Sequence, residues 1–100
     1  MFQEGRRVVQ AASFPWLARN VLGCDPSITS VMALDTRGKM LAHEVAIDEN
    51  DLENDGASLL LYSEAFGALI FVRFDQSSDP LEVETKVRDQ MKVPVFAVTR

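Results

Sequence analysis

The chain has 100 residues, which is the size of a single α/β domain, 1–100. Hydrophobic residues make up 47% and charged residues 25%, so neither a disordered chain nor a coiled coil is the default. Ten Lys and Arg against fifteen Asp and Glu give a net charge of −5, which argues against nucleic-acid binding. The longest apolar run, 65–72, is much shorter than the roughly 18 residues of a membrane span. Residues 1–10 carry charge where a secretory signal is apolar, so we expect a cytoplasmic protein without a membrane span.

The first predicted elements are an ambiguous N-terminal segment and a helix. Residues 1–12 are an arm, a helix or part of a strand: Val8, Val9 and Ala12 would share a helical stripe, but 8–14 can equally be interpreted as a short strand. A helix is predicted over 14–22. Ser13 can accept from its free N–H groups, and Pro15 suits the first turn. Gly23 is predicted to end this helix in a left-handed conformation.

Residues 27–46 predict an antiparallel β-hairpin. Ile28, Met32 and Leu34 alternate with their neighbours as in a strand that is at least half-buried. The segment 35–38 predicts a tight turn, in which Asp35 bonds forward to the backbone and Gly38 takes a positive φ. Residues 40–45 form the returning strand.

Two further strands, a helix and a closing strand are predicted in the second half of the chain. The strands cover 57–63 and 66–74, and the second is apolar on both faces, as in a central strand. The helix begins after the cap Asp79, and its buried stripe consists of Val83, Val87 and Met91. Pro94 lacks an N–H donor, so the closing strand 93–98 is predicted at an edge of the sheet.

The charges of the last helix predict two ion pairs along its surface. Glu82 precedes Lys86 by four residues, and Glu84 precedes Arg88 by the same spacing. Each pair is in the favourable order and is worth about 0.2–0.5 kcal/mol.

Together these elements predict an α+β fold with a central antiparallel sheet of four to five strands and helices on one face. Few helices are available to cover so apolar a sheet, so parts of 59–61 and 69–71 should be left bare. Association is the usual remedy, which predicts a homodimer or a heterodimer. The candidate dimer-interface residues are Leu59, Leu61 and Phe96.

The segment 47–56 is an acidic loop and a candidate partner-binding site. Its carboxylates are Asp48, Glu49, Asp51, Glu53 and Asp55. Asp51-x-Glu53-x-Asp55-Gly56 also matches the first half of an EF-hand calcium loop. The twelfth position, which should be a bidentate Glu, is Tyr62. A solvated, partner-facing or disordered loop therefore fits better than a calcium site. The sequence alone does not decide whether 51–56 binds calcium.

No arrangement of residues predicts an enzyme or a cofactor site. Cys24 is the only cysteine, which excludes an internal disulfide. Cys24 and His43 are a conceivable thiolate–imidazole pair, but Cys24 follows a helix C-terminus, where the helix dipole disfavours a thiolate. Nucleotide-binding, hydrolase and metalloprotease motifs are missing. Arg6 and Arg7, near Arg19, are either solvated charges or a docking site for an acidic partner.

Two stretches of the chain resemble the Roadblock/LC7 group of the profilin-like fold. The first is LARNVLG followed by DPSITSVMALDTRGKMLAHEV, and the second is FGALIFVRFDQSSDPLEVETKVRDQM. The resemblance covers 14–92 and implies a non-catalytic, homodimeric or heterodimeric scaffold that regulates a small GTPase or a signalling complex. The family has a long helix between its second and third strands, where this chain has only 47–56.

A small-molecule sensor is the alternative function, because profilin-like and PAS-like sheets often hold a ligand in their concave face. The candidate pocket residues are Met32, Met40, Phe66 and Phe71, which fit a hydrophobic core equally well.

Overall fold

The computed structural model describes residues 14–46 and 56–98, which form two helices and one five-stranded sheet. Helix α1 covers 14–23 and helix α2 covers Pro80–Met91. The strands are β1 Ile28–Asp35, β2 Met40–Val45, β3 Gly56–Ser63, β4 Ala68–Asp75 and β5 Val95–Ala97. Their order is β2-β1-β4-β3-β5, and every neighbouring pair is antiparallel. Both helices pack on one face, which confirms the predicted α+β fold.

The core lies between the two helices and one face of the sheet. Val31 is paired with Val72 and Leu61 with Ile70, so these side chains project to the same side. All four are essentially inaccessible to water, as are Val21 of α1 and Val87 of α2. Full burial of a side chain of this size stabilises the fold by about 1.5–3 kcal/mol.

The predicted left-handed stop at Gly23 is wrong. Gly23 is still helical and its φ is not positive. The chain leaves the helix through a turn in which the Cys24 N–H donates to the Val21 carbonyl at 3.1 Å. The left-handed residue is Lys92 instead, with φ 59°, and it ends α2. Its N–H donates to the Arg88 carbonyl, which satisfies one of the last helix acceptors.

The start of α2 is formed as predicted. The Asp79 side chain accepts a hydrogen bond from the Leu81 N–H at 3.1 Å, and Pro80 occupies the first turn. This cap offsets part of the cost of the unpaired N–H groups at the helix start.

One of the two predicted ion pairs of α2 is present. Glu84 and Arg88 are 2.8 Å apart. Lys86 does not pair with Glu82, but reaches Asp25 in the turn after α1, with Nζ and Oδ2 3.3 Å apart. The Asp25 side chain is only 9% exposed, and a poorly hydrated carboxylate attracts a cation more strongly than a solvated one.

The hairpin turn between β1 and β2 also forms as predicted. The Asp35 carboxylate accepts from the backbone N–H groups of Arg37 and Lys39, at 2.9 and 2.8 Å. Gly38 has φ 89°, a conformation that side chains disfavour. Pro94 precedes β5, which lies at the edge of the sheet next to β3.

Candidate functional site

The face of the sheet opposite the helices, here called the open face, is apolar, and no described helix or strand lies over it. Strand register arranges its side chains in transverse rows. The first row consists of Met40, Leu34, Leu69, Tyr62 and Phe96, and the second of His43, Met32, Phe71 and Leu60.

Three of the four side chains in the third row of the open face are polar. This row contains Val45, Ser30, Arg73 and Ser58. The face therefore has an apolar part beside the two hairpin turns and a polar part at the opposite end of the strands. Carboxylates are missing from all three rows.

The apolar rows remain accessible to water. Met40 is 54% exposed and Phe96 is 56% exposed, while the other apolar side chains of the first two rows are half-buried by their neighbours in the sheet. Five strands at about 4.8 Å spacing make the face about 24 Å wide. A contiguous apolar surface of this extent is characteristic of interaction sites.

Two opposite charges lie at the two ends of the open face. The Arg73 guanidinium lies over Gly56, since a Cβ at Gly56 would be 2.9 Å from its Nη2 atom. At the other end, Glu64 lines a shallow groove together with Ala65, Pro94 and Phe96. Within 14–46 and 56–98, neither Arg73 nor Glu64 forms an ion pair.

The predicted dimer-interface residues are divided between the two faces. Phe96 lies on the open face, in register with Tyr62. Leu61 is fully buried beneath the helices, which removes it from any surface, and Leu59 is half-buried on the same side. The reason is the two-residue alternation of a strand: of the three consecutive leucines in β3, only Leu60 points to the open face.

Cys24 and His43 do not form a catalytic pair. His43 is exposed and in register with Met32 on the open face, whereas Cys24 packs against the core on the helix side. Burial raises the pKa of the Cys24 thiol, and the neighbouring Asp25 carboxylate raises it further. Lys86 opposes this effect without reversing it. A thiol in these surroundings is a poor nucleophile.

The carboxylate of Asp25 ties the turn after α1 to α2. Its Oδ1 atom accepts from the Ser27 N–H at 2.8 Å and from the Ser27 hydroxyl at 2.9 Å. The backbone hydrogen bond from Ser27, more than the ion pair with Lys86, lowers the pKa of Asp25. Through these contacts, Asp25, Ser27 and Lys86 hold the turn after α1 against α2.

Several predicted site residues lie outside the described residues. They are Arg6 and Arg7, and Asp48, Glu49, Asp51, Glu53 and Asp55 of the acidic loop. The described end of the calcium pattern is built into β3, which begins at Gly56 and includes Tyr62. Among the described residues, no group of three or more His, Cys, Asp and Glu side chains is placed to hold a metal ion.

The four predicted pocket residues do not converge on one site. Met32, Met40 and Phe71 belong to the first two rows of the open face. Phe66 lies in the turn between β3 and β4 and packs against Phe14 of α1, with ring centroids 6.0 Å apart.

The sequence did not point to Leu34 and Tyr62 as site residues, and it included Leu60 and Leu69 only within the stretches 59–61 and 69–71 that were expected to be left bare. Both alternating sets of side chains in β3 and β4 are largely apolar, so hydrophobicity alone does not separate the two faces. The pairing register of the strands decides which of the two sets faces the helices, and this register depends on contacts between segments that are distant in the chain.

No helix in the described part of the chain is long and apolar enough to cross a membrane. Comparison of the chain with models of protein families, with curated proteins and with solved structures found no match.

Proposed function

We propose that this chain is a non-catalytic protein-interaction module that works as a dimer. The observation that carries the proposal is the open face. Two rows of apolar side chains, backed by a well-packed sheet, are left in water by every described element. Removing apolar surface from water is favourable by about 25 cal/mol per Å², so an exposed apolar face favours association.

The resemblance to Roadblock/LC7 domains supports the same proposal. It favours a scaffold that brings a small GTPase or another signalling protein into a complex. The acidic loop 47–56 and the arginines Arg6 and Arg7 are the charged segments proposed to contact such a partner.

Light scattering after size-exclusion chromatography tests the proposal. We expect the wild-type mass to rise toward twice the monomer mass as the concentration approaches about 100 μM, since association follows mass action. Leu60→Asp places a charge on the open face and should give a monomer at the same concentrations.

Leu81→Asp is the matched control. Leu81 is 71% exposed on α2, outside the open face, so a charge there should leave association unchanged. A wild-type protein that stays monomeric up to about 100 μM would contradict the proposed dimer. So would a dimer that is insensitive to Leu60→Asp.

A further inference from the structure

We infer that a second copy of this chain covers the open face, with the two sheets stacked face to face about a two-fold axis that runs across the strands. The inference rests on the proposed function and names the partner and its orientation. Three properties of the open face support it: its breadth, its lack of charge in the centre, and the positions of Arg73 and Glu64.

The breadth of the open face matches another sheet better than a single helix. Five strands make it about 24 Å wide, whereas one α-helix with its side chains is about 10–12 Å across. A second copy presents a surface of the same width. The three rows extend about 20 Å along the strands, but only the first spans five strands and the other two span four, so two stacked faces bury about 850 Å², in the range of weak and transient interfaces. We therefore expect a reversible dimer.

The first two rows of the open face are suited to pack against the same two rows of a second copy. A two-fold interface places the same patch on both sides, so any central charge would face its like. Apart from His43 at the β2 edge, the first two rows contain apolar side chains and the Tyr62 phenol. Packed sheets lie about 10 Å apart, a distance that side chains such as Met32, Leu69 and Phe71 fill.

The end charges favour one of the two orientations in which the strands of the stacked sheets are aligned. With the axis parallel to the strands, each row meets the same row of the partner copy, and the two Arg73 guanidinium groups face each other. With the axis across the strands and between the first two rows, the ends are exchanged and the first row of one copy meets the second row of the other. The Arg73 guanidinium, which lies over Gly56 at one end of β3, then faces the opposite end of β3 in the other copy. That end continues into Glu64.

With the two-fold axis across the strands, the Arg73–Glu64 contact therefore forms twice, once at each end of the dimer. Neither residue has an ion-pair partner among the described residues, so both charges are available. Complementary charges at the margin of an apolar interface fix its orientation more than they add affinity.

Charge reversal tests this orientation. R73E and E64R, each alone, place like charges at both contacts and should raise the dimer dissociation constant about tenfold. An equimolar mixture of the two variants restores both contacts in the mixed dimer. Sedimentation equilibrium of the mixture should return to within about threefold of the wild-type constant. At 1 M salt the single variants should approach the wild type, because exposed charges are screened.

The experiments distinguish failure of this orientation from failure of the proposed function. If Leu60→Asp disrupts the wild-type dimer but neither charge reversal changes its dissociation constant, the axis across the strands is overturned and the proposed function stands. A dimer insensitive to Leu60→Asp overturns the use of the open face. A chain that is monomeric on its own but dimerises with another protein through the open face overturns the second copy as the occupant. A wild-type protein that stays monomeric, with the open face shielded by another part of the same chain, overturns both proposals.

Discussion

Leu60 and Leu61 are consecutive residues of β3, and their side chains lie on opposite faces of the sheet. Leu61 is paired with Ile70 under the helices and is 0% exposed, whereas Leu60 is paired with Phe71 on the open face. Two identical neighbouring residues therefore differ in their surroundings: Leu61 belongs to the core and Leu60 to the proposed interface.

Alanine substitutions should separate these two roles. Leu61→Ala leaves a cavity in the core and should lower the free energy of unfolding by about 2–5 kcal/mol. Leu60→Ala should cost below about 1 kcal/mol at concentrations where the protein is monomeric, because its side chain is already partly in water. Urea denaturation at about 1 μM measures both. Equal losses would show that the open face is packed as tightly as the core.

Glycine substitutions distinguish the two positions at which the sequence predicted a left-handed backbone. Gly38→Ala should destabilise the protein by about 1 kcal/mol or more, since an alanine is strained at φ 89°. Gly23→Ala should stabilise it by about 0.5–1 kcal/mol, because Gly23 is helical and a methyl group there meets no atom within 4 Å. Thermal unfolding of both variants checks the pair. If Gly23→Ala destabilised the protein instead, the result would support the left-handed conformation of Gly23 that the sequence predicted.

The surroundings of Cys24 predict slow alkylation at neutral pH. Burial and Asp25 raise the pKa of the thiol, so little thiolate is present. Iodoacetamide should therefore modify folded Cys24 more slowly than the urea-unfolded chain at the same pH. Asp25→Asn should accelerate the reaction and Lys86→Gln should slow it, because the two charges act on the thiolate in opposite directions. Changes of the opposite sign would contradict this electrostatic account.

Three carboxylates should make the fold less stable in acid. Backbone hydrogen bonds lower the pKa values of Asp25, Asp35 and Asp75, chiefly through the N–H groups of Ser27, Lys39 and Ser77 respectively. A carboxyl of this kind stabilises the fold above its unfolded pKa of about 3.9. That contribution is lost as the pH falls through the lower folded pKa.

We therefore expect the free energy of unfolding to fall as the pH is lowered from about 5, most steeply below about 4. Asp25→Asn keeps an acceptor for Ser27 but has no charge to titrate, so its pH dependence should be shallower. Urea denaturation across this range measures the difference. Parallel curves for wild type and variant would show that Asp25 titrates alike in both states.

The sequence predicted most of the fold because its local signals agree with the tertiary contacts. The Asp35–Gly38 turn, the Asp79 cap and the stripe ending at Met91 depend on neighbouring residues, and all three appear in the structure. The partner of Lys86 was missed because Asp25 is distant in the chain and is brought to α2 only by packing.

The uncovered face of the sheet could be predicted from the sequence, whereas its use as an interface stays a prediction. The shortage of helical cover for an apolar sheet was visible in the sequence. The choice of Leu61 for the interface was wrong because a shift of one residue exchanges the two faces of a strand. Phe96 lies on the open face, and its place in a dimer interface stays a prediction.

Methyl signals of the methionines provide the most direct test of the account. Met32 and Met40 lie on the open face, whereas Met91 is buried between α2 and the sheet. The protein is labelled with ¹³C at the methionine methyl groups, and its concentration is raised from about 5 to about 500 μM. We expect the Met32 and Met40 signals to shift and the Met91 signal to stay unchanged, because only Met32 and Met40 enter an interface formed by mass action. Signals of Met32 and Met40 that do not move over this range would contradict association through the open face.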